Sequence, residues 1–171
     1  MNPDAGGLTM RIEDRRVLIE MTGGSAWELP LGPATLLEGE LERADPPGAA
    51  QLSNALGAVV DHFDDIVIES QSVLATPSVI AVGAHAEALA CVEVGDDRVP
   101  TGYRLRRVDA EEVFRTLVAE PAERRRFNPG LSGDHVETIV GTCCVVLAIM
   151  RRLDLADIKI AGDGDGARDH G

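Results

Sequence analysis

The stretch from Thr142 to Met150, Thr-Cys-Cys-Val-Val-Leu-Ala-Ile-Met, is apolar around almost the whole circumference of a helix and is closed by Arg151-Arg152. It falls far short of the roughly 20 residues needed to cross a bilayer, so no membrane span is expected. A segment of this kind belongs at the centre of a layered domain, wrapped by other elements. Val136, Ile139, Val140, Cys143 and Leu147 extend one apolar face upstream, and Ser132 is suited to cap it. A buried central helix is therefore expected over residues 132–152.

What wraps it is read from shorter patterns. Residues 8–12, 16–21 and 26–31 are β-favouring runs separated by the polar turns Glu13-Asp14-Arg15 and Thr22-Gly23-Gly24, the pattern of a three-stranded antiparallel meander. After the breaker Pro46-Pro47-Gly48, Leu52, Leu56, Val59, Val60 and Phe63 recur at helical spacing, predicting a helix over 49–64 that ends near Asp64-Asp65. Two β-branched runs follow at 66–68 and 79–82; the second leads through Gly83 into a helix start at Ala84. Residues 103–108 predict another strand, Asp109 with Glu112 a capped helix start, and Ile158 to Ala161 a last strand. The Gly/Asp-rich segment 162–171 is expected to be disordered, leaving one domain over 1–161.

Charge and composition narrow the function classes. Aromatics are only 3% of 171 residues, so the core is built from Ala, Val, Leu and Ile, which suits α/β layers. A net charge of −13 repels polyanions and argues against nucleic acid or an anionic membrane as partner. The arginines between Arg98 and Arg126 are interleaved with Asp109, Glu111, Glu112, Glu120 and Glu123 and read as a salt-bridged, solvated surface. Cys91, Cys143 and Cys144 read as small core residues in a reducing compartment. The N-terminus lacks the basic and apolar regions of a signal peptide, so the location expected is cytoplasmic.

Several segments together carry a resemblance. They are Leu29-Pro30-Leu31-Gly32 with Ala34 to Leu37, Val79 to Ala90, Thr101 to Leu105, Glu123 to Arg126 and Pro129-Gly130-Leu131. Asp134 to Glu137 with Ile139-Val140, and Leu153 to Ile160, complete the set. In order and spacing, over residues 4–161, the chain resembles the Ppx/GppA family of exopolyphosphatases and guanosine pentaphosphate phosphatases, in particular the second of that family's two actin-like domains. The fold this implies is a single ribonuclease H-like (actin-like ATPase/sugar kinase) α/β domain whose mixed sheet begins with the antiparallel meander.

The resemblance also implies a phosphate cradle made of two loops. Asp4-Ala5-Gly6-Gly7-Leu8-Thr9 stands for the family's Asp-x-Gly-Gly-Gly-Ser loop, with Asp4, Gly6, Gly7 and Thr9 as its phosphate-binding residues. Gly83-Ala84-His85 stands for its Gly-Gly-Thr loop, with all three residues binding phosphate. Backbone N–H groups of such turns and of a helix N-terminus bind anions. The two loops are expected to converge at one edge of the sheet. Leu8, Ala84 and His85 depart from the family pattern, as does His135-Val136-Glu137 where the family has Arg-Ala-Asp. No protein metal site is expected; the cofactor implied by activity is Mg2+. The family's N-terminal domain has no counterpart here, so two functions are expected. One is a phosphohydrolase half that binds or hydrolyses polyphosphate or guanosine pentaphosphate once another chain completes it. The other is a non-catalytic domain acting in protein–protein association, as a homo-oligomer or with a partner domain.

Overall fold

The computed structural model describes residues 6–162. The meander forms as expected from β1 (Leu8–Ile12), β2 (Val17–Met21) and β3 (Ala26–Leu29), followed by a short helix α1 (Pro33–Glu38). Helix α2 (Ala49–Glu69) leads to β4 (Val79–Val82) and helix α3 (Ala84–Val94). Then come β5 (Arg104–Arg106), α4 (Arg107–Val118), α5 (Ala122–Arg125), α6 (Ile139–Arg152) and β6 (Asp157–Ala161). The six strands make one mixed sheet in the order β3-β2-β1-β4-β6-β5, with β1, β4 and β6 parallel.

Alternation along the strands sets the layers. Leu8, Met10 and Ile12 of β1 are buried, as are Val17, Ile19, Val79, Ala81, Ile158 and Ile160 in neighbouring strands. These residues share one face of the sheet because in-register neighbours point the same way. The chain moves from β1 to β4 to β6 in one direction across the sheet, so right-handed crossovers bring the intervening helices to a common face. Helix α6 lies at the centre of this layer against α1, α2, α3 and α4, with every residue from Ile139 to Met150 buried. Burial pushes the Cys144 thiol up to about 12 and that of Cys143 still further, so both stay neutral and inert in the core. All three cysteines are free. Among the described residues no helix is long and apolar enough to cross a membrane.

Four expectations are corrected. Residues 66–68 are the last turn of α2 rather than a strand: Ile66 and Val67 continue the buried stripe of Val59 and Phe63, and that packing overrides β-branched propensity. Asp64 therefore lies inside α2, where it accepts from Arg152 at 2.7 Å. Helix α4 starts at Arg107, and Asp109 takes the Arg106 guanidinium at 2.8 Å instead of capping backbone. Ser132 caps a 3-10 turn, Gly133–His135, so α6 begins only at Ile139. Residues 163–171 lie outside the described residues.

Candidate functional site

Gly83 ends β4 with φ +109, a backbone conformation open to glycine, and turns the chain directly into α3. The element facing this turn is the β1–β2 hairpin turn, closed by the bond from Glu13 N–H to Arg16 C=O at 2.9 Å. Together Arg11, Ile12, Glu13, Asp14, Gly83, Ala84 and His85 line a shallow cavity of about 230 Å3. His85 is 6% exposed, and its Nε2 lies 2.5 Å from the Asp14 carboxylate. A carboxylate only accepts, so Nε2 carries the proton and donates it. A side chain from one loop thus spans to the other.

The glycines expected to join this site lie elsewhere. Gly7 N–H donates to Thr22 Oγ1 at 3.1 Å, and Leu8 N–H donates to Ser78 C=O at 3.0 Å. Strands β1 and β4 run parallel with Leu8 opposite Val79, so Gly6 and Gly7 sit at the N-terminal end of β4 and Gly83 at its C-terminal end. At about 3.3 Å per residue the two segments are roughly 15 Å apart. The expected convergence of the two loops is therefore incorrect, and Thr9 stands within β1 rather than in a turn. Asp4 lies outside the described residues. Sequence reasoning took a Gly-Gly pair for the signal, whereas parallel pairing brings only the far end of β1 to Gly83. That end carries the polar turn Glu13-Asp14-Arg15 and then Arg16, and it has no glycine.

The electrostatics of the turn are self-contained. Arg15 makes two bonds to Glu38, at 3.1 and 3.0 Å, which raise the guanidinium pKa and hold the Glu38 carboxyl below its ordinary value. Arg16 pairs with Glu13 at 2.6 Å and lies 3.6 Å from Glu28. Both arginines are thus committed to chain carboxylates, Glu13 among them, and the cavity itself is lined by Arg11 as well as by Glu13 and Asp14. Beneath them the His85 and His135 rings meet edge to face, with centroids 5.1 Å apart. Burial, and then His85, push the His135 pKa down, and the buried Nδ1 atoms of both rings have no partner. A second cavity of about 330 Å3 beside α3 is lined by Glu87, Cys91, Asp97, Ser132 and His135 among others. No group of three metal-ligating side chains occurs among the described residues.

The arginines after Arg98 are in large part ion-paired. Arg104 meets Asp157 at 2.9 Å, Arg106 meets Asp109 at 2.8 Å and Arg115 meets Glu112 at 2.8 Å. Arg125 is 3% exposed and donates to Glu120 C=O, Val136 C=O and Asp45, tying three segments together.

No protein-family model and no curated protein matches this chain. Solved structures do. An exopolyphosphatase-like protein superposes with TM-score 0.80 at 16% identity, covering 91% of this chain and 55% of that one. The Aquifex aeolicus Ppx/GppA enzyme gives 0.80 at 14% identity, covering 94% and 54%. An exopolyphosphatase from Cytophaga hutchinsonii gives 0.70 at 16%, covering 91% and 53%. The architecture is thus the actin-like, ribonuclease H-like α/β domain expected from the sequence. These three structures are exopolyphosphatase or Ppx/GppA proteins, the family the motifs resemble, and the chain spans about half their length.

Proposed function

We propose that this is a non-catalytic association domain built on a Ppx/GppA-type fold, whose anion site has been replaced by an internal contact. The observation that carries this reading is the bond from His85 Nε2–H to Asp14, which spans the two turns at the sheet end where an anion would have to enter. A phosphate there would face the Glu13 and Asp14 carboxylates beside Arg11, with Gly83 as its one glycine, and the hairpin arginines Arg15 and Arg16 are already paired. Phosphoryl transfer relies on positioned donors and neutralised oxygens, and a turn that carries two carboxylates, with its donor His85 already held by Asp14, supplies few of them.

One observation favours the second reading, a half-enzyme that binds polyphosphate with Mg2+ once another chain completes the cleft. Gly83 keeps the open turn into the α3 N-terminus, the part of the fold suited to an anion. Calorimetry with inorganic polyphosphate, with and without Mg2+, separates the two. The non-catalytic reading expects no heat of binding and no phosphate release. Saturable, salt-dependent binding abolished by substituting Gly83 overturns it.

A further inference from the structure

The cavity of about 330 Å3 beside α3 is walled by backbone that the fold holds in place. One wall is the segment from Gly130 to His135. Gly130 takes φ +86 and packs so closely on the end of α3 that a Cβ there would run into the carbonyls of Cys91 and Asp96, so only glycine fits. Arg125 fixes the chain just beyond this segment through its bond to Val136 C=O at 2.9 Å. The loop after α3 folds back as well, because Gly95 N–H and Asp96 N–H both donate to Cys91 C=O, at 2.8 and 3.2 Å, and this brings Asp97 to the cavity. The space is therefore formed before any ligand arrives.

Its lining is apolar in the middle and acidic on either side. Ala88, Leu131 and Cys91 make the middle; Cys91 is 6% exposed, and its free thiol has no hydrogen-bond partner among the described residues. Glu87 stands one turn before Cys91 on α3, about 6 Å along the axis, and Asp97 stands on the loop that returns to Cys91 C=O. Neither carboxylate has an ion-pair partner among the described residues, and no arginine or lysine lines the cavity. The neighbouring charges add acid: Asp96 meets Asp97, with Arg98 acting on Asp96 outside the lining, and Asp134 faces His135. His135 itself stays neutral at pH 7, because burial and then His85 lower its pKa.

These features select a class of ligand. A bare divalent ion needs several ligands converging on one point, and no such group of three occurs among the described residues. Two separated carboxylates with an apolar span between them match an organic dication instead. We propose that this cavity binds a short alkyl diamine, with its ammonium groups on Glu87 and Asp97 and its methylenes over Cys91 and Leu131. The net charge of −13 draws such a cation toward the chain. The cavity shares only Ala84 with the one at the Gly83 turn, so the site does not rest on whether that turn takes phosphate.

Titration of the whole chain with 1,4-diaminobutane at low salt, followed through backbone amide shifts, tests this. Saturable shifts are expected at Ala88, Cys91 and Ser132 with a Kd of about 1 mM, the scale open to so small a ligand. Butylamine, with one charge, is expected to bind at least about fivefold more weakly, and 1,4-butanediol, with none, to leave the amides unmoved. Glu87→Gln and Asp97→Asn, each shown folded by circular dichroism, should each weaken diamine binding about fivefold or more, to the level of butylamine on the wild type. Shifts that do not saturate, that arise equally beside the exposed Asp61 and Asp65 of α2, or that Mg2+ reproduces at the same concentration report a diffuse counterion atmosphere and overturn the site. Variants that bind the diamine as the wild type does overturn it too. Phosphate binding at Gly83 contradicts the non-catalytic reading instead and leaves this site standing.

Discussion

Replacing Gly32 by Ala should disturb the candidate site from beneath. Gly32 caps α1 and packs under the β1–β2 turn, where a Cβ would meet Asp14 O at 2.6 Å and Arg16 N at 2.8 Å, with Glu13 O closer still. Ordinary contact begins at 3.4 Å, and all three atoms are backbone, so the turn has to lift by up to about 1 Å. Lifting it stretches the bond from Ala34 N–H to Asp14 C=O, now 2.8 Å, and draws the Asp14 carboxylate away from His85. Overpacking of this kind costs about 1–3 kcal/mol, and a strained backbone hydrogen bond adds about 1 kcal/mol. For a domain of this size the total corresponds to a fall in Tm of about 4–16 °C. Urea unfolding followed by circular dichroism measures it. A Gly32→Ala protein within about 0.5 kcal/mol of wild type refutes the argument that this close approach positions the hairpin.

Arg125→Ala should cost about 3 kcal/mol, because Val136 C=O and Glu120 C=O lose a buried shared donor and the exposed Asp45 carboxylate loses its ion pair; Arg125→Lys, lacking the planar fork, should rescue only part of it in the same assay. Stability should fall as the pH drops below about 6.5. His135 has a lowered pKa in the folded protein, so below that pH the unfolded chain takes up its proton more readily, and stability is fullest above it. Asp134, Asp14 and Glu87 face His135 and raise its pKa without offsetting burial, and His135→Gln should flatten the slope of Tm between pH 7 and 5. An unchanged slope assigns the effect to other groups.

The layered fold was legible where the signal was local. The meander needs only alternation and polar turns, and the apolar girth of 142–150 announces its burial in α6. Helix ends were less legible, because Ile66-Val67 as a sequence suits a strand, and only contact with the core decides for a helix. The site failed for a different reason. Gly6-Gly7 and Gly83 each look suited to an anion, but which end of β1 meets Gly83 depends on β1 and β4 being parallel, a long-range fact with no local signature. The residues that do meet Gly83, Glu13 and Asp14, carry no glycine and so gave no signal. His85 was singled out as a departure from the family pattern; its partner Asp14, 71 residues away, was not.

The central claim is that the chain's own Asp14 carboxylate holds the place of an external anion, and the nitrogen spectrum of the His85 imidazole tests it most directly. The wild type should show His85 protonated at Nε2 and shifted by its carboxylate partner, and Asp14→Asn should move that signal. Adding inorganic phosphate to about 50 mM with Mg2+ should leave the His85 ring and the Gly83 and Ala84 amides where they were, because the His85 donor is already taken by Asp14 and the two carboxylates of the turn repel an added anion. A saturable phosphate-dependent shift of those same signals, with His85 leaving Asp14, would contradict the account and restore the anion site.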